Sequence, residues 1–280
     1  MGATQREESQ VERANATGRQ PVLFIHGLWL LSTSWARWAR VFEEAGYAAV
    51  VLGWPDDPET TAEANANPDA LAGKTIRQVA DHYEGIARAL DRRPAIVGHS
   101  FGGLLAQILA GRGASVSTVA ISPAPFQGVL PLPFSALKSA SPVLGNPANR
   151  DRAVPLTLEQ FRYAFANAVT EAEAEALYRE FAVPAPGAPL FQAALANLNP
   201  WTEDRVDTRN PARGPLLILS GSEDHTVPWA VSKAAYDLQK THNPGVTEIQ
   251  ELTGRGHAIT IDHGWRDVAD TALGFIKRFV

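Results

Sequence analysis

A chain of 280 residues, 45% hydrophobic and 20% charged, is long enough for one large core and has the composition of an ordinary globular protein. A net charge of −5, with no basic cluster interleaved with aromatics, excludes nucleic acid as the main partner. Cysteine is absent and the seven histidines show no metal-ligand spacing, so no disulfide framework, thiolate nucleophile, metal or cofactor is expected.

Residues 1–20 are polar and read as a flexible tail. They lack the apolar stretch of a signal peptide, and no run of about 18 apolar residues follows, so a cytoplasmic protein without a membrane partner is expected. Pro21-Val-Leu-Phe-Ile25 is a short apolar strand ending at His26-Gly27. The spacing of Trp35, Trp38, Val41 and Phe42 predicts a helix over 34–45, with Ser34 as N-cap and Gly46 as its stop. A strand over 47–52 and a long polar loop over 53–73 come next. Ile76, Val79, Tyr83, Ile86 and Leu90 recur at helical spacing within 74–90. Residues 95–98 form a strand, 101–110 a helix and 117–122 another strand.

The alternation then breaks. Residues 125–213 begin with a proline-rich stretch and show helical patterns at 157–168, 170–181 and 190–198, with no strand pattern. This reads as a helical cap that leaves the sheet at the carboxyl end of a strand, where open α/β folds bind ligands. Strands over 215–221 and 246–252 and helices over 228–240 and 265–279 complete the chain. Apolar strands alternating with helices imply an α/β fold with a parallel sheet covered on both faces. The expected division is a tail over 1–20, a core over 21–124 and 214–280, and a cap over 125–213.

Between the strand at 95–98 and the following helix stands Gly98-His99-Ser100-Phe101-Gly102. Gly-x-Ser-x-Gly arises by chance in roughly one chain of ordinary composition in ten. Its place between a strand and a helix is that of a nucleophile elbow, where Gly98 and Gly102 leave room for a sharp turn that exposes Ser100. A serine hydroxyl needs a base, and the base a carboxylate. His257, in the loop after the last strand, is the expected base. Asp224, in the acidic loop after the preceding strand, is the expected acid. His225 and His263 are the rival bases and Glu223 the rival acid. Ser100, Asp224 and His257 follow the chain order of this type of site. An oxyanion would take one hydrogen bond from the N–H of Phe101, at a helix start, and a second from the N–H of Leu28, beside the small Gly27.

With these motifs in place, the chain resembles the α/β-hydrolases, through His26-Gly27-Leu28, Gly98 to Gly103, Gly221 with Asp224 and Val227-Pro228, and Gly256-His257. Only about 20 residues precede the His-Gly strand, where many members carry a hairpin, so a reduced sheet of six parallel strands is expected. The resemblance implies a serine hydrolase acting on a small hydrophobic ester or lactone through an acyl-enzyme. It also permits cofactor-free perhydrolysis, carbon–carbon bond hydrolysis or cyanohydrin cleavage by the same triad, or a binding protein without turnover. A serine at the elbow argues against haloalkane dehalogenase or epoxide hydrolase. Phe126, Leu130, Leu132, Phe134, Phe161, Phe165 and Trp201 are the expected apolar pocket wall. Trp29, following His-Gly-Leu, either narrows that pocket or belongs to the core.

Overall fold

The computed structural model describes residues 4–280; the first three residues of the expected tail lie outside the described residues. The remainder of that tail is a correction. Gln5–Ala16 forms helix α1, started by a capping box in which Thr4 and Glu7 satisfy each other's backbone N–H groups. Val11 and Ala14 are buried, and Glu7 Oε1 lies 2.9 Å from His82 Nε2. Two buried apolar positions in a helix of twelve residues left too thin a stripe to mark a docked helix.

Strand β1 (Pro21–Ile25) leads through a 3₁₀ turn to α2 (Ala36–Glu44) and β2 (Ala48–Val51). The loop expected over 53–73 contains a short helix, α3 (Thr61–Ala66), with its own capping box between Thr60 and Glu63. Then come α4 (Ile76–Ala89), β3 (Ala95–His99), α5 (Phe101–Gly111) and β4 (Ser117–Ile121).

The cap follows as α6 (Phe134–Leu144), β5 (Ala153–Val154), α7 (Leu158–Ala164), α8 (Glu171–Phe181), β6 (Ala185–Pro186) and α9 (Ala188–Leu195). β5 and β6 form a two-residue antiparallel ribbon, too short for a sequence period to reveal. Helix α6 arises within the proline-rich stretch and carries Pro142 in its interior. Proline has no N–H for the carbonyl four residues back. The Ser141 hydroxyl takes over that role, donating to the Lys138 carbonyl at 2.8 Å. The chain closes with β7 (Leu216–Gly221), α10 (Trp229–His242), β8 (Thr247–Leu252) and α11 (Trp265–Ile276).

The six main strands are all parallel, in the order β2-β1-β3-β4-β7-β8. Strand alternation sorts their side chains between two apolar clusters. Val22, Phe24, Val97, Leu217 and Leu219 pack with α2 and α11 on one face. Leu23, Ile25, Ile96, Leu216 and Ile218 pack with α4, α5 and α10 on the other. The second cluster continues into the cap through Val143, Phe161, Leu177 and Phe181, so cap and sheet share one apolar interior. Among the described residues no helix is long and apolar enough to cross a membrane, and no cluster of three or more His, Asp or Glu could hold a metal.

Candidate active site

Ser100 sits between the last residue of β3 and the first of α5 with φ 57° and ψ −121°. Left-handed backbone is unfavourable for a residue with a Cβ and persists only where its surroundings fix it. Here they do. The Ser100 N–H donates to the Ile121 carbonyl at 2.9 Å, and its own carbonyl accepts from Gly103, Leu104 and Ala124. A Cβ on Gly98 would collide with the Gly102 carbonyl, and one on Gly102 with the Ile25 carbonyl. Both glycines are therefore required by the tightness of the turn. A Cβ on Gly27 would lie 2.7 Å from Ser100 Cβ. That lets the backbone after β1 press against the serine. The N–H of Leu28 has no backbone acceptor among the described residues. The N–H of Phe101, first in its helix, has no carbonyl behind it to bond within the helix.

Asp224 and His257 meet in the loops after β7 and β8. Asp224 Oδ1 accepts from the N–H groups of Thr226 at 2.8 Å and Val227 at 2.7 Å, which fixes the carboxylate. Its Oδ2 lies 2.7 Å from His257 Nδ1. Both side chains are shut off from solvent. The imidazole is wedged between the ring of His99, 4.7 Å away, and the edge-on ring of Phe165, 4.9 Å away. His257 Nε2 is buried and has no hydrogen-bond partner among the described residues. Burial, reinforced by the nearby His257, holds His99 well below the ordinary histidine pKa. His99 thus stays neutral at pH 7 and donates from Nε2 to the His257 carbonyl at 3.0 Å. A neutral neighbour does not oppose an imidazolium forming at His257.

The rival residues are held elsewhere. Glu223 is exposed, and His225 bonds through Nδ1 to the Tyr163 carbonyl. His263 pairs with Glu173 on the outer surface.

A cavity of about 240 Å³ opens onto Ser100. Trp29 and Leu132 line it. Trp29 has φ 62°, and both its indole N–H and its carbonyl bond to the cap, at Val154 and Val183. Five other expected wall residues do not line it among the described residues, and a sixth, Phe165, stands behind the histidine. Phe126 is buried in the main apolar cluster and faces a different groove. Phe161 stacks on Phe165 at 5.0 Å, both buried, because the cap needs filling beneath its helices. Phe134 and Trp201 are 79% and 83% exposed on its outer face. Leu130 is also exposed. The wall is made instead by small and aliphatic residues, chiefly Ala136, Ala140 and Leu144 of α6 and Leu190, Ala193 and Ala194 of α9. Their i, i+3 and i, i+4 spacing was the available signal; in α6 it was masked by the surrounding prolines, and in α9 it was read as a helix without its alanines being chosen. Among the described residues no charged side chain lines the cavity.

The profile of the alpha/beta hydrolase family matches residues 22–271. Among curated proteins no relative is found. Several solved structures are similar in fold. A monoacylglycerol lipase of Paleococcus ferrophilus is 19% identical, with 93% of this chain and 95% of that one covered at a TM-score of 0.63. An extracellular alpha/beta-hydrolase from a Paenibacillus species is 19% identical, covering 91% and 98% at 0.65. A pyrethroid hydrolase from Sphingobium faniae is 16% identical, covering 92% and 97% at 0.65. At these identities the likeness is one of fold.

Proposed function

The chain belongs to the alpha/beta hydrolase family, and from that premise we propose that it is a serine hydrolase that cleaves uncharged, hydrophobic carboxylic esters or lactones. One observation carries this reading. A solvent-excluded His257–Asp224 pair leaves a single imidazole nitrogen, Nε2, unpartnered, and a strained serine stands at the mouth of an apolar cavity.

Ser100 Oγ attacks the ester carbonyl while His257 Nε2 takes its proton, and Asp224 holds Nδ1–H and steadies the imidazolium. The carbonyl oxygen becomes an oxyanion, met by the N–H groups of Leu28 and Phe101. One such donor contributes about 2.7–4 kcal/mol to the transition state. Collapse of the intermediate breaks the bond to the alcohol oxygen, which receives the proton from His257 Nε2. Water, deprotonated by the same nitrogen, then releases the acid and restores Ser100. The uncharged lining supports a neutral apolar acyl group over a phosphorylated or ionic one. The neighbours named as a lipase and a pyrethroid hydrolase are in keeping with an ester substrate.

A series of nitrophenyl esters of increasing chain length tests the proposal. The wild-type protein should hydrolyse them. Ser100→Ala should lose at least about 10⁴-fold in kcat, and a phosphonate should label Ser100 alone. Full turnover in the alanine variant, or an adduct elsewhere, removes the mechanism.

A further inference from the structure

The Gly27 carbonyl oxygen and the Leu28 N–H belong to one planar trans peptide, so they point in opposite directions. Whatever fixes the carbonyl also fixes the aim of the N–H. His26 Nδ1 lies 2.8 Å from that carbonyl oxygen. A carbonyl only accepts, so Nδ1 donates. On the other side of the ring, Nε2 lies 3.0 Å from Asp57 Oδ2, which also accepts from the Trp54 N–H at 2.9 Å. Asp57 Oδ1 accepts from Lys74 Nζ at 2.7 Å, and Lys74 donates again to the Ala70 carbonyl at 3.1 Å. The Trp54 indole stacks on the imidazole at 5.7 Å and donates to the His26 carbonyl at 3.1 Å.

His26, Asp57 and Lys74 are all buried. Burial by itself would raise the Asp57 pKa; the hydrogen bond and charge of His26 and the charge of Lys74 outweigh it and leave the carboxyl below its usual range. The carboxylate is thus ionised and accepts from both partners. A buried ionisable trio is a poor way to gain stability, since apolar residues of the same volume avoid the desolvation cost. What it does achieve is a ring clamped on both nitrogens and one face, directly behind the peptide that presses on Ser100.

We propose that His26 is a positioning residue for the oxyanion site: through Nδ1 it holds the Gly27–Leu28 peptide so that the Leu28 N–H points at the developing oxyanion, while Asp57 and Lys74 hold His26. This rests on the acyl-transfer reading above, and it assigns a task to a histidine that takes no part in proton transfer.

Two substitutions separate the ring's two nitrogens. Asparagine places an amide nitrogen near the Nδ1 position, within reach of the Gly27 carbonyl. Glutamine places one near Nε2, within reach of Asp57 but not of that carbonyl. Activity on a nitrophenyl ester and the inhibition constant of a trifluoromethyl ketone, whose adduct carries the tetrahedral oxyanion, are measured for both. His26→Asn should keep kcat within about threefold of wild type, whereas His26→Gln should lose about 100-fold in kcat with KM nearly unchanged, and bind the ketone about 100-fold more weakly. A merely structural role would lower the amount of folded protein without splitting kcat from KM.

If the two variants behave alike, or if KM rises while kcat holds, the proposal is overturned. Should His26→Gln not fold, Lys74→Met replaces it. It removes the anchor behind Asp57, and about a tenfold loss in kcat and in ketone affinity is expected; wild-type values for both overturn the proposal. Ser100→Ala, run alongside, tells the two failures apart. An active alanine variant sinks the acyl-transfer reading itself, whereas an inactive one with no asparagine–glutamine split sinks only the role of His26.

Discussion

The two walls that meet at Ser100 are built by opposite means. On the sheet side, the serine and the carboxylate are fixed by backbone. Ser100 is locked by four main-chain hydrogen bonds and Asp224 by two N–H groups, and the proposed oxyanion donors, Leu28 and Phe101, are main-chain N–H groups. Glycines at 27, 98 and 102 bring those pieces into contact. On the cap side, the wall is mostly a set of alanine and leucine side chains from α6 and α9, and Leu132 and Leu137 are exposed to solvent. A wall held by main chain tolerates little change in position. A wall of aliphatic side chains can alter in volume without disturbing the turn. Under the proposed acyl transfer, the contrast gives reaction to the sheet and selectivity to the cap.

Three measurements can break or sharpen that division. The largest effect is expected at the base. His257→Ala should lower kcat by about 10⁴-fold or more on every ester in a chain-length series, because the triad acts as a unit. His225→Ala, bonded only to the Tyr163 carbonyl, should stay within a few fold. A loss confined to some chain lengths would undo the assignment.

The next effect concerns the rigidity of the sheet side. Asp57→Asn removes one charge from a buried trio and should destabilise the fold by about 3–5 kcal/mol in a denaturant titration. It should also change the response to acid. A carboxyl held below its usual range contributes stability that is complete above its unfolded pKa of about 3.9 and is lost as the pH falls through the lower folded value. The wild-type curve should therefore drop below about pH 4, and the variant's should be flatter there. Parallel curves would show that the network adds no rigidity.

The smallest effect belongs to the cap. Ala193→Trp should fill part of the 240 Å³ cavity and reduce kcat/KM for long acyl chains by about 10- to 200-fold, leaving acetyl esters nearly unaffected. Equal losses on all esters would mean that the cap also positions the reacting atoms.

The same contrast explains what the sequence revealed. The elbow, the order Ser100, Asp224, His257 and the parallel sheet were legible because each is encoded locally, in a glycine pattern or an apolar run. The cap wall was not legible. Choosing large aromatics as pocket residues failed because Phe161 and Phe165 fill the interior below, while Phe134 and Trp201 face solvent. The alanines that do form the wall carry no chemical mark; Pro142 hid helix α6, and the helix read over 190–198 gave no reason to choose its alanines. The clamp on His26 was equally hidden, since Asp57 and Lys74 lie 31 and 48 residues along the chain and meet it only after folding.

Helix α1 has a consequence beyond its own stability. Strand β2 is the outermost of its side, so one row of its backbone groups has no neighbouring strand to bond. Such a row is a template on which another chain can add a strand and begin to aggregate. Helix α1 packs beside β2, and Gln10 Oε1 accepts a hydrogen bond from the Val51 N–H at 3.2 Å. The mostly polar helix that resembled a loose tail thus acts as a guard rail, keeping a parallel sheet from growing by one strand too many.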